Sequence, residues 1–74
     1  MTINELGRIL ADMYGNAMNG EQVAHIHLFG VKYGKEIKSN GYKVTEIIKA
    51  SGLRDSYATE LSKGIKLSKY VVPK

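Results

Sequence analysis

His25 and His27 are the two imidazoles of the chain, and with Glu21 and Glu36 nearby in sequence they make its one grouping of metal-ligating type. On a helix, side chains two residues apart point about 200° apart, so the two rings cannot share one ion. Either one can reach a metal together with Glu21 or Glu36 only if the helix unwinds locally. A packed or solvated pair is the simpler reading, and no metal and no cofactor are expected. Other chemistry is as thinly provided. The chain has no cysteine, no Gly-x-Ser-x-Gly elbow and no phosphate-binding loop, and its seven carboxylates are scattered without a setting that pairs them. No enzyme activity is expected.

Binding chemistry is better supplied. Tyr14, Tyr33, Tyr42, Tyr57 and Tyr70 carry rings that can stack on unpaired bases, but they gather on no one face and read as half-buried residues with their phenol tips in water. The charges are segregated. Residues 1–31 hold Arg8 against Glu5, Asp12 and Glu21, a net −2, whereas residues 32–74 hold ten lysines and arginines against Glu36, Glu46, Asp55 and Glu60, a net +6. A basic half of this kind can neutralise a phosphate backbone, although a lysine-rich solvated surface has the same composition.

Elements must position those charges. With 74 residues, 43% of them hydrophobic, the chain can bury one modest core, so a single domain spanning 1–74 is expected. No disulfide or thiolate zinc site staples it, so helix packing, with or without self-association, must supply its stability. Lack of cysteine fits a reducing compartment, and no signal-like segment or bilayer-length apolar run is present; a cytoplasmic protein is expected.

Thr2 and Glu5 have capping-box spacing, and Ile3, Leu6, Leu10 and Met13 follow at helical intervals, which predicts a first helix ending near Gly15. Asn19, answered by Gln22, is read as the cap of a second helix reaching about Ser39. Val23, Ile26, Gly30, Tyr33, Gly34 and Ile37 form its inner stripe, and its two glycines leave a groove for another backbone. Asn40 and Gly41 should end it. A short helix over 44–50, a break at Ser51, Gly52 and Leu53, and a second short helix over 54–63 closed by Gly64 make a helix-turn-helix. Ile65, Leu67, Tyr70 and Val71 are expected to dock on the core as a short helix or an extended arm. The fold class is therefore all-α, a small bundle of four to five helices.

Within residues 44–64, Ile47 and Ile48 face inward from the first helix, Leu53 plugs the turn, and Ala58 and Leu61 face inward from the second. Ala58 is small where the helices should cross, which permits a close crossing. At Gly52-Leu53, Ser56-Tyr57, Leu61 and Ser62-Lys63-Gly64 the chain resembles the lambda-repressor-like helix-turn-helix family of Cro and phage repressors. The phrase Ile26-His-Leu-Phe-Gly-Val-Lys-Tyr-Gly34 is similar to small bacterial helix-turn-helix-like domains. The resemblance implies a DNA-binding protein of bacterial or phage type, with a recognition helix at about 54–63 in the major groove of double-stranded DNA. It places Asp55, Ser56, Thr59 and Glu60 toward the bases, and Thr45, Arg54, Tyr57, Lys63, Lys66 and Lys69 toward the phosphates. Two features depart from the family: carboxylates at base-facing positions, which repel phosphates, and Ile48 where a smaller residue is usual.

Two functions follow as expectations. The first is a sequence-specific transcriptional regulator acting as a twofold homodimer, because one short recognition helix covers little DNA. Its dimer surface is either the glycine-lined face of the second helix or the apolar tail over 67–72. The second is an adaptor of the same shape that docks a protein partner rather than DNA. A basic surface gathering Arg54, Lys63, Lys66 and Lys69 favours the first, and an exposed apolar patch favours the second.

Overall fold

The computed structural model describes residues 1–71, which form four helices and, among the described residues, no strand: α1 (Ile3–Asn16), α2 (Gln22–Ser39), α3 (Val44–Ser51) and α4 (Tyr57–Leu67). The capping box at α1 forms as its spacing demands. The Thr2 hydroxyl accepts from the Glu5 N–H at 3.1 Å, and the Glu5 carboxylate accepts from the Thr2 N–H at 2.9 Å. At α2 the expected cap does not form. Glu21 takes the cap position without a side-chain bond, and the Gln22 side-chain Oε1 accepts instead from the N–H of Gly20, which turns the chain at φ +85°.

The far end of α2 closes as Asn40-Gly41 predicts. Gly41, at φ +70°, donates its N–H to the Lys38 carbonyl, and Tyr42 donates to that of Ile37, satisfying two carbonyls the helix leaves open. Tyr42 also donates its hydroxyl to the Met1 carbonyl at 2.7 Å, and the Met1 amine lies 2.9 Å from the Glu36 carboxylate. These bonds tie the start of α1 to the end of α2.

The core is drawn from every helix: Leu6 and Leu10; Ile26, Phe29 and Ile37; Ile47 and Ile48; Leu61 and Ile65. Leu53 and Ala58 pack against it in part. Val23, read as an inner residue, is exposed. The principal packings are α2 on α4 and α1 on α3. Both rely on glycine for close approach. A side-chain carbon at Gly7 would lie 2.6 Å from the Ala50 Cβ, across the α1–α3 contact. Across the α2–α4 contact, Gly64 meets His27 and Gly30, and Gly34 meets Ser68; because these numbers rise together, α2 and α4 run side by side in the same direction. The groove along Gly30 and Gly34 is thus filled by α4 of the same chain. It is not free to serve as a dimer surface.

Gly64 also corrects the expected end of the second short helix. It sits inside α4 without a positive φ, and the helix continues to Leu67 with Ser68 as its cap. Glycine in a helix interior costs about 1 kcal/mol relative to alanine, and here its lack of a Cβ is what lets the α2 backbone approach. The start is displaced as well. Gly52 caps α3 at φ +77°, the turn extends to Ser56, and α4 begins at Tyr57 rather than Arg54. Of the tail, Ile65 is buried within α4, whereas Leu67, Tyr70 and Val71 are exposed rather than docked. Val72, the end of the tail read as a dimer surface, lies outside the described residues, as do Pro73 and Lys74.

Candidate nucleic-acid interface

The α3–turn–α4 segment presents its outward side as follows. Leu61, Gly64, Ile65 and Ser68 bury one face of α4, which leaves Thr59, Lys63 and Lys66, spaced i, i+4 and i+7, as a stripe on the opposite, exposed face. Arg54, Asp55 and Ser56 are exposed in the turn that leads into α4, with the Arg54 and Asp55 carbonyls accepting from the N–H groups of Tyr57 and Ala58. Asp55 stands where the positive end of the helix dipole tolerates a carboxylate. Together with Thr45, Glu46 and Lys49 on α3 it lines an open cleft of about 290 Å³.

The basic residues do not form one cluster. Arg54 lies before the first residue of α4 and Lys69 after its last, with an 11-residue helix between them, a rise of about 16 Å. Lys63 and Lys66 lie between these ends. The four charges are thus spread over the length of α4 rather than gathered in one compact patch.

Two residues of the expected interface have partners inside the fold. Tyr57 is half-buried; its hydroxyl is 3.0 Å from that of Tyr14 on α1, and the two rings pack at 5.4 Å between centroids. Tyr57 therefore anchors the start of α4 to α1. Tyr14 has its phenol pushed above the usual tyrosine range, first by that hydrogen bond and then by burial. Glu60 is half-buried too. Its Oε1 is 2.8 Å from Nε2 of His27 on α2, and its Oε2 is 3.5 Å from Nζ of Lys63. The His27 hydrogen bond, with Lys63 adding attraction, holds the Glu60 carboxyl below the usual carboxylate range.

His27 is the residue at this interface that residue-by-residue reading of 44–64 does not reach. Its signal lies in the glycines of α2 and α4, which bring His27 and Glu60 to the same crossing. On α2 His27 is half-buried against α4, packed rather than solvated. Among the described residues no three side chains of histidine, cysteine, aspartate or glutamate come together around a possible ion, and Glu36 faces the Met1 amine.

The family described as an HTH-like domain matches residues 2–74, and the chain belongs to it. No curated protein and no solved structure matches the chain. Among the described residues no helix is long and apolar enough to cross a membrane.

Proposed function

We propose that this HTH-like domain binds double-stranded DNA as a small sequence-specific transcriptional regulator in the lambda-repressor manner, with α4 entering the major groove. The observation that carries the reading is the exposed Thr59, Lys63, Lys66 stripe on a helix whose opposite face is locked into the core, with Arg54 at its leading end. A rigid helix with one free basic face meets the geometric requirement for groove reading. Thr59 and Ser56 face bases in this arrangement, Asp55 approaches a cytosine amino group, and Thr45, Arg54, Lys63, Lys66 and Lys69 contact phosphates. The protein acts as a homodimer, in the cytoplasm, and catalyses no reaction.

Fluorescence anisotropy on random duplex DNA across a salt series tests this reading. Wild-type affinity should fall steeply as salt rises, and the double variant Arg54→Ala, Lys63→Ala should lower the slope by about one for each lost phosphate contact. No binding at low salt removes the DNA reading, because the electrostatic contribution does not depend on finding the right sequence.

A second reading, an adaptor that docks a protein partner, is favoured by one observation. Leu28 on α2 is 54% exposed, and Tyr70, just past α4, is 82% exposed. Each offers a partner an apolar anchor that the fold itself does not bury. If random duplex fails to bind, a partner screen with Leu28→Glu and Tyr70→Glu as negative controls follows.

A further inference from the structure

His27 lies outside the helix-turn-helix, yet it reaches the helix that carries the basic stripe. Its Nε2 is 2.8 Å from Glu60 Oε1, and the backbone beneath it is fixed: a side-chain carbon at Gly64 would lie 2.5 Å from the His27 carbonyl oxygen and 2.9 Å from its Cα. The α2 and α4 backbones are in direct contact at this point, which places His27 beside Glu60. Glu60 lies beside the stripe formed by Thr59 and Lys63, where an unpaired carboxylate would oppose phosphate. The pair is only partly shielded, with the two side chains 32% and 26% exposed, so its charge is felt at the surface.

We propose that His27 is a positioning residue for duplex binding: it holds the Glu60 carboxylate against α2 and, when protonated, cancels its charge, so that α4 binds DNA more tightly in acid. This rests on the reading of α4 as the DNA-facing helix. The charged groups in contact at the pair are His27 from α2 and Glu60 and Lys63 from α4. Imidazole is the side-chain type whose charge can change near neutral pH, so the comparison is made across a range where duplex DNA is intact. With neutral His27, the ring N–H still donates to Glu60 and keeps it in place, but the carboxylate is offset by Lys63 alone. With cationic His27, the surface beside the stripe carries one more positive charge.

The test is anisotropy on random duplex at one low salt concentration, at about pH 6 and about pH 8, for wild type, His27→Gln, Glu60→Gln and His25→Gln. Glutamine retains hydrogen bonding at each position and does not titrate, and circular dichroism checks that each variant is folded. Wild type and His25→Gln should bind about two- to fivefold more tightly at the lower pH, the range in which a partly exposed charge acts. His27→Gln should show no such difference. Glu60→Gln keeps the imidazole but loses the carboxylate it offsets, so at the higher pH it should match wild type at the lower. A purely structural role for His27 would weaken binding equally at both pH values and leave the ratio intact, which overturns the proposal. So does Glu60→Gln that binds at the higher pH no more tightly than wild type, a comparison that remains available if His27→Gln does not fold. Wild type that binds at both pH values without a difference overturns this proposal alone, whereas wild type that binds at neither overturns the DNA reading with it.

Discussion

Gly30 on α2 and Gly64 on α4 meet with no room for a side chain on either: a Cβ at Gly30 would lie 2.7 Å from the Gly64 carbonyl carbon, and one at Gly64 would lie 3.1 Å from the Gly30 Cα. The atoms that would be struck are backbone and cannot rotate away. This contact sets the spacing of α2 and α4, and with it the reach of His27 to Glu60.

Gly64→Ala should therefore destabilise the domain. Alanine gains about 1 kcal/mol in helix propensity over glycine, but overpacking of a tight crossing costs about 1–3 kcal/mol, more where backbone must move. A net loss of about 1–2 kcal/mol in urea denaturation is the expected result. Gly15→Ala is the control. Gly15 has open space around it and lies within α1 without a positive φ, so it should be neutral or gain up to about 1 kcal/mol. Equal effects at the two sites would mean that the crossing yields.

Tyr57→Phe separates anchoring from DNA contact. The hydroxyl of Tyr57 is engaged with Tyr14 at 3.0 Å, and its loss leaves a half-buried phenol without that partner. Unfolding free energy should fall by about 0.5–1.5 kcal/mol. Affinity for random duplex, measured well below the melting temperature, should be unchanged. A drop in affinity with a lowered salt slope would instead return the Tyr57 hydroxyl to the phosphates.

The contrast between the ends of α2 and α4 shows which features were legible in the sequence. Most local signals held: Thr2 with Glu5, Asn40 with Gly41, and Gly52 past α3 all act within four residues of themselves, and the bonds they make are where their types require, whereas Asn19 with Gln22, equally local, forms no cap. The core stripe of α1 and the inward Ile47, Ile48 and Leu61 follow helical periodicity and are buried. Signals that needed a distant partner did not hold. Gly64 looks like a helix stop because a terminating glycine and a packing glycine are the same residue, and only α2 lying against it tells them apart. Glu60 sits at a base-facing position by spacing, but His27, 33 residues earlier, draws it aside.

Ile48→Ala would give the small residue that lambda-repressor-like domains usually have at this position. In this chain the consequence should be adverse, because Ile48 is 1% exposed and belongs to the core that α1, α3 and α4 share. Removing a buried isoleucine to alanine costs about 2–5 kcal/mol, a large part of the stability of a domain this small. Substantial unfolding at room temperature is expected, visible by circular dichroism, while Ile48→Val should cost about 0.5–1.5 kcal/mol and stay folded. A stable, native-like Ile48→Ala would mean that α3 closes on α4 when the larger side chain is removed.

Acid should weaken the fold through the two carboxylates whose ionised forms it favours. Glu60 is held below its usual range first by His27, and Glu5 by its hydrogen bonds from Thr2. A carboxyl with a depressed folded value binds its proton more readily in the unfolded chain, so its contribution is present above the ordinary carboxylate range and is lost as pH falls through that range to the folded value. Melting temperature should thus hold level through mildly acidic pH and decline once the ordinary glutamate range is entered. In Glu60→Gln and in Glu5→Gln, each of which removes one of these carboxyls, the decline should be shallower from a lower plateau. Acid limbs that coincide in wild type and both variants would place the acid sensitivity at other carboxylates.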